Sequence, residues 1–498
     1  MAKFTRYFLL LFLLAFYFNA QAQPYNNEWI DYNKTYYGFK VGPFGYDIVS
    51  APIKSGIAHI TQSALVAAGL ANVPSEHFQL WRDGAEVPLY ISKSSGVLSA
   101  DDYLEFFGEV ANGKTDKELY AEDNYRLSDY WNLFTDSATY YLTVNSTGNN
   151  KRIIQSANDL SGSLPEADKN FYYTAGRYYR AAISQGVGLY AEQKLYLSSY
   201  DRNEGWVSRP VRKNLSPLGS AQLPQFFNKL HLDTAQQAMT AKLVLAGNAP
   251  YERQAKIFLN NDSLVQFEMN DFLQKRIIVN DIPANTIKND TAVLLIQNLG
   301  AEDDDELRVA SIELTYPRFF DFDGRNYFEF SLLPSSVGRN IEIRNFDMGN
   351  ALPILTDKLN SKRYFADTSQ RDILRFFLPA SPTGYDLVLR KNDLSTVKNI
   401  IQLEAKKFVD YSLAGNQGDY LIITNPLLQQ GPVDYVKEYS NYRGSDSGGH
   451  YKVSVVNVHE LVDQFAYGVK MSTAGLKNFL RFANDKFSVK PQYVFLIG

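Results

Sequence analysis

The sequence predicts a mainly β, multidomain chain that ends in an incomplete α/β domain. Three observations lead there. A chain of 498 residues is too long for one hydrophobic core. Its 34 Tyr and 32 Phe suit pleated, half-buried surfaces. At Gly418 the texture changes, from short β-prone runs broken by turn residues to continuous apolar runs separated by helical patterns.

Lys3 and Arg6 precede an apolar run over residues 7–18, and Ala20-Gln21-Ala22 offers the small-x-small pattern of a signal-peptidase site. Residues 1–22 are therefore expected to be a signal peptide, and the mature chain to be exported. No later apolar stretch reaches spanning length, so no transmembrane span is expected in the mature chain. The net charge of −4 carries no polyelectrolyte signal, which argues against a nucleic-acid partner. There is no cysteine, so burial alone must supply stability, and a cysteine nucleophile, a thiolate metal site and thiol redox chemistry are excluded within these residues.

Residues 23–150 read as an N-terminal β-rich domain. Phe78-Gln79-Leu80-Trp81 and Val87-Pro88-Leu89-Tyr90-Ile91 flank Asp83-Gly84, a strong hairpin signal. A short helix is expected over residues 61–68, with Leu65 and Val66 on its apolar side and Gly69 as its stop. Residues 151–326 read as a β-sandwich, although the Tyr and Ser of residues 171–200 show no clean period. Strands are expected at 241–245, 255–259, 264–269, 276–279 and 291–297, with 307–316 closing the sandwich. Residues 327–405 form a small β-rich piece punctuated by Pro334, Pro353, Pro379 and Pro382.

Residues 406–498 read as β-α-β-α-β with right-handed crossovers. Residues 420–424, 452–458 and 493–497 are apolar runs of the kind buried on both faces of a parallel sheet. Tyr435, Tyr439 and Tyr442 follow Pro432 at helical spacing, and Ser472 is placed to cap a second helix carrying Leu476, Phe479, Leu480, Ala483 and Phe487 on one face. Three strands are half of a usual sheet, so this domain is expected to be incomplete.

Few residues suggest chemistry. Ser445-Asp446-Ser447-Gly448-Gly449 contains the D-S-G-G core of chymotrypsin-like serine proteases, but joins a helix to a parallel strand, where a glycine turn explains it. His59, His77, His231, His450 and His459 show no H-x-H or H-E-x-x-H spacing, and His450 and His459 bracket one strand. Glu302-Asp303-Asp304-Asp305-Glu306 offers oxygen ligands for a structural Ca²⁺, yet lacks the alternating spacing and glycine of an EF-hand and fits a solvated loop better. No catalytic, cofactor-binding or metal-binding residue is assigned.

Several segments together resemble one family, the type IX secretion sortases and gingipain-like relatives among the C25 cysteine peptidases. Asn27-Glu28-Trp29-Ile30, Tyr36-Tyr37 before Phe39-Lys40-Val41, and Gln79-Leu80-Trp81-Arg82-Asp83-Gly84-Ala85-Glu86-Val87-Pro88 look like its opening β-domain. Asp102-Tyr103-Leu104-Glu105-Phe106-Phe107-Gly108 looks like its D-x-L-E-F-F-G signature, and Ile312-Glu313-Leu314-Thr315-Tyr316-Pro317-Arg318 like the close of its middle β-domain. Residues 419–424, 451–456 and 491–498 look like the first three strands of its caspase-like gingipain domain.

The resemblance implies a cell-surface or extracellular cysteine-type peptidase or transpeptidase. Such a sortase removes C-terminal sorting domains from cargo at the outer membrane and joins the cargo to lipopolysaccharide, in company with type IX secretion components. The family's G-H-G histidine and its cysteine match no position here, so the 498 residues alone are expected to be inactive. The chain is then expected to be the N-terminal portion of a longer enzyme. Two alternatives stand beside this reading: a secreted gingipain-like peptidase without a sorting role, and a non-catalytic surface adhesin or glycan-binding β-sandwich protein.

Overall fold

The computed structural model describes residues 24–45, 53–191, 193–196, 202–212, 221–235 and 238–498. The expected signal peptide lies outside them. The chain divides into two units, one of residues 34–406 and one of residues 407–498 with residues 24–33.

Among its described residues, unit 34–406 is built from three pairs of larger sheets and two two-stranded ribbons, Ala182–Ser184 with Gly205–Val207 and Val187–Tyr190 with Gln193–Tyr196. In the first, Tyr36–Val41 and Ala138–Val144 lie at the centre of a five-stranded sheet, and Ser55–Thr61 and Tyr103–Glu109 at the centre of a four-stranded one. Phe39, Val41, Ile60, Phe106, Tyr140 and Leu142 belong to their shared core. The expected hairpin is present: Phe78–Arg82 and Ala85–Val87 turn through Asp83 (φ 47°) and Gly84 (φ 75°), the positive pair that a primed two-residue turn requires. The helix Gln62–Ala67 starts where the Thr61 side chain accepts a hydrogen bond from the Ala64 amide. Leu65 is buried, but Val66 is 46% exposed, contrary to expectation. Ala64 and Leu65 form the buried face, and Val66, about 100° further round the helix, turns away from the sheet.

Two short strands from the expected third piece join the first instead. Val397–Ile400 pairs in parallel with Ser55–Thr61, and Glu404–Lys406 pairs antiparallel with Tyr36–Val41. They cover edges that the first piece would otherwise leave open.

The middle pair is the expected sandwich. One sheet runs Gln222–Asn228, Thr291–Asn298, Gln254–Leu259, Asp262–Glu268; the other runs Gln274–Ile282, Met239–Gly247, Leu307–Phe319, Asn170–Tyr178. Leu243, Leu245, Ile257, Leu294, Ile296, Ile312 and Leu314 fill the space between. Asn170–Tyr178 and Gln222–Asn228 come from sequence without clean alternation, because Asn170–Tyr178 is an edge strand whose largely uncovered face tolerates Tyr, Thr and Gly. The third pair sets Asp321–Arg325, Arg339–Phe346 and Ile373–Leu378 with Tyr327–Leu332, Tyr385–Arg390, Ile354–Asp357, Lys362–Phe365 and Ile154–Gln155. It packs around an aromatic cluster in which Phe171, Phe320, Phe322, Phe328 and Phe330 touch ring to ring. Much of the phenylalanine excess is therefore core.

The second unit is a three-stranded parallel sheet in the order Val453–Asn457, Tyr420–Thr424, Tyr493–Ile497. The helix Tyr435–Gly444 covers one face through Val436 against Tyr420 and Ile422. The helices Val458–Phe465 and Ala474–Lys486 cover the other through Leu461, Phe465, Phe479 and Ala483 against Leu421 and Ile423. The helix Val458–Phe465 was not expected. Its Asn457 cap is the last residue of a strand, so strand and helix patterns run together without a turn signal.

Two expectations for this unit are corrected. Residues 24–33, expected in the N-terminal β-rich domain, pack here, with Tyr25 on Phe482 and Trp29 on Phe408. Of the three apolar strands, only Tyr420–Thr424 is buried throughout. Residues 493–496 are between 41% and 58% exposed, because that strand is an edge pairing with one neighbour only. Among the described residues no helix is long and apolar enough to cross a membrane.

Candidate functional site

In an open α/β sheet, ligands gather beyond the carboxyl ends of the strands, where successive crossovers leave toward opposite faces. Here the helix after Tyr420–Thr424 lies on one face and the helices after Val453–Asn457 on the other. The crevice therefore falls between Thr424 and Asn457, which are register partners. Asn425 and Asn457 rim it. Each accepts a hydrogen bond from a backbone amide at the start of the following helical turn, Leu427 at 3.0 Å and His459 at 2.9 Å. Each carboxamide thus uses its oxygen locally and keeps an NH₂ donor. His459 stands exposed at this end of the sheet. The arrangement can orient a carbonyl or an anion, but it brings no thiol nucleophile, since the sequence has no cysteine.

His450 lies at the opposite end of the strand Val453–Asn457, so it forms no dyad with His459. Its Nδ1 is 2.9 Å from Asp446 Oδ1, in full solvent exposure. Ser447 Oγ meets Ser445 Oγ at 3.0 Å. The glycines of this motif answer to packing: a Cβ on Gly448 would come 1.7 Å from the Tyr442 carbonyl oxygen, and Gly449 takes φ 107° beside the Tyr451 ring. Ser447→Ala is expected to leave stability within about 0.5 kcal/mol of the parent in a thermal melt, as for other exposed surface changes. Loss of a measurable activity in that variant would restore the protease reading.

The D-Y-L-E-F-F-G segment proves to be a joint between sheets. Asp102 closes its loop by accepting from Ser92 Oγ at 2.9 Å and the Ser99 amide at 2.7 Å. Tyr103 stacks on the His59 ring at 3.8 Å. Glu105, 2% exposed, meets His59 Nε2 at 2.7 Å, Arg363 Nη1 at 2.9 Å and Arg390 Nη2 at 2.7 Å, and the two arginines belong to strands of the third sheet pair. Burial by itself raises the Glu105 carboxyl, but the His59 hydrogen bond and the Arg390 and Arg363 charges outweigh it and hold the group below the ordinary carboxylate value. Gly108 faces Gly56 across the ladder, and together they open a slot for Phe44, whose ring would lie 2.7 Å and 2.5 Å from added Cβ atoms. No role had been expected for His59. The available signal is a polar residue inside each of two facing apolar strands, in Ile57-Ala58-His59-Ile60 and Leu104-Glu105-Phe106.

The acidic loop is also more structured than a solvated one. Arg253 and Asp305 are both buried, with Nε 2.7 Å from Oδ1, and Glu306 accepts from Arg308 Nε at 2.5 Å. Asp304 is bonded by the Tyr251 hydroxyl at 3.1 Å. A run of carboxylates does not reveal which of them faces inward, because that depends on a cation fifty residues earlier. Among the described residues no group of three or more His, Asp or Glu side chains is placed to hold a metal ion.

Residues 413–498 match the model of peptidase family C25. Over most of the chain the fold is PorU-like. It is similar to that of dimeric latent PorU from Porphyromonas gingivalis, at 13% identity and a TM-score of 0.56, over 92% of this chain and 41% of that one. The chain thus spans about two fifths of the length of that structure. Two carbohydrate-binding modules also align, at scores that carry no inference. One is the CBM36-1 domain of a xylanase from the hindgut metagenome of Trinervitermes trinervoides, with 5% identity over 28% of this chain and 96% of that one and a TM-score of 0.18. The other is a family 35 module from Clostridium thermocellum, with 8% identity over 29% of this chain and 90% of that one and a TM-score of 0.16. No curated protein matches the sequence.

Proposed function

We propose that this chain supplies the β-rich part and the opening strands of the peptidase domain of a PorU-like sortase. The whole enzyme would act at the outer-membrane surface, cleave C-terminal sorting domains from type IX secretion cargo, and pass the cargo to a lipopolysaccharide acceptor. The observation that carries this reading is the breadth of the likeness: it covers 92% of the chain and so takes in the β-rich part as well as the C25 segment.

The reaction is acyl transfer: a thiolate attacks the scissile carbonyl, a histidine moves the proton to the leaving amine, and an acceptor amine or water resolves the acyl-enzyme. No residue of this chain is assigned to those steps. Its own contribution is the strand frame and crevice rim at Asn425 and Asn457.

Deleting the gene in its host is expected to leave cargo with the sorting domain still attached, read as a mass increase of the secreted or retained protein. Normal cargo processing in the deletion strain would overturn the proposal. The 498 residues alone are expected to show no cleavage sensitive to thiol inhibitors, and detecting such cleavage would equally count against it.

A further inference from the structure

A pocket of about 400 Å³ in unit 34–406, outside the crevice described above, is lined by Lys54, Tyr130, Arg177, Arg325, Tyr327 and Glu329 among others. Its volume is within the range of small-ligand sites. Lys54 is fixed by its surroundings. Its carbonyl accepts from the Val110 amide at 2.9 Å, and its Nζ lies 3.9 Å from the centre of the Tyr130 ring and 4.9 Å from that of Trp131. Tyr130 in turn stacks on Tyr178 at 3.7 Å, and Tyr178 is held by a 2.6 Å hydrogen bond from its hydroxyl to Glu313. Gly176 leaves room for that ring, since a Cβ there would come 2.6 Å from it. The amine therefore ends a rigid aromatic stack.

The carboxylates around it are already engaged. Glu109 is bound by Arg82. Glu329 accepts from the Ser55 and Tyr327 hydroxyls and faces Lys358 Nζ at 3.4 Å. Glu313 holds Tyr178. Lys54, Arg177 and Arg325, by contrast, make no ion pair among the described residues; Arg177 lies over the Tyr179 ring and Arg325 over Phe328. The pocket thus combines two guanidinium groups and the Lys54 amine, none of them in an ion pair among the described residues, with the engaged Glu329 and a row of tyrosines.

We propose that this pocket binds a small ligand through an oxyanion, phosphate or carboxylate, with Lys54 as its charge partner and Arg177 and Arg325 flanking it. Burial lowers the Lys54 amine to about 7; Glu109 opposes this, and Arg82, Arg180 and Lys114 add to it. An arriving anion offsets both the burial and the neighbouring positive charges, so its binding favours the protonated amine.

Competitive amine labelling of the 498-residue chain with mass-spectrometric readout tests this without a substitution. Free Lys54 is expected to label readily near neutral pH, and the exposed Lys117, away from the pocket, serves as the internal reference. If an oxyanion raises the Lys54 value by about one unit, its labelling falls by about fivefold at neutral pH and approaches about tenfold at mildly acidic pH. Protection by inorganic phosphate and not by acetate assigns a phosphate-bearing ligand, and the reverse assigns a carboxylate. Arg177→Ala is expected to weaken whichever protection is seen. Absence of protection by either anion overturns the proposal, as does equal protection by sodium chloride or equal loss of labelling at Lys117.

Discussion

Glu105→Ala is expected to destabilise unit 34–406 by about 3–5 kcal/mol, the usual cost of removing one member of a buried charge cluster. The loss is not the value of one contact. It is the cost of leaving the guanidinium groups of Arg363 and Arg390 buried without their counter-charge, both side chains being under 5% exposed. Glu105→Gln keeps an acceptor and the packing of Tyr103 on His59, so it should lose less. Chemical denaturation of the two variants and the parent provides the measurement, and a loss below about 1 kcal/mol for the alanine variant would reduce the cluster to the rank of a surface ion pair. The pH dependence has a definite sign. The folded carboxyl titrates below its unfolded value, so its contribution is complete above the ordinary carboxylate range and is lost as the pH falls through the folded value. The parent should therefore lose stability more steeply than Glu105→Gln on acidification from about pH 5.

Arg253→Ala should cost about as much, roughly 3–5 kcal/mol, in the β-sandwich. Arg253 is 0% and Asp305 1% exposed in their side chains, and the guanidinium also donates to the carbonyls of Ala249, Met269 and Asp271 at 2.7, 2.9 and 2.8 Å. The variant thus strands a buried carboxylate and three carbonyl oxygens together. A cavity would add to this, because Gly247 and Gly300 are set against Arg253, Asp271 and Asp305 with no room for a Cβ. Double-mutant cycles with Asp305→Asn, followed by thermal unfolding, separate the pair from the packing. Additive losses would show that the two residues act independently.

These two clusters mark where reading the chain in order stops being enough. The sandwich strands were legible because alternating residues such as those of Thr291–Asn298 bury every second side chain, and that period is local. The Asp83-Gly84 hairpin was legible because its turn needs two positive φ angles that few residue pairs adopt. The edge strand Asn170–Tyr178 was not, since its burial depends on a neighbour, Leu307–Phe319, far along the chain. The same holds for Val397–Ile400, whose partner Ser55–Thr61 lies more than three hundred residues before it. At the candidate crevice, the end of the sheet where chemistry gathers was legible from strand direction. The roles of Asn425 and Asn457 depend on which face each helix takes, and that is decided by packing.

By itself the sequence determined the mainly β character, the middle sandwich, the parallel β-α-β frame at the C-terminus and the absence of any thiol chemistry within these residues. All of these follow from composition or from periodicities of two to four residues, which neighbouring side chains alone can express. Only the tertiary structure decided that residues 24–33 pack with residues 407–498, that Glu105 unites His59, Arg363 and Arg390, and that Asp305 turns inward to Arg253. A buried charge takes its meaning from the counter-charge beside it, and here that partner arrives from 46 to 285 residues away.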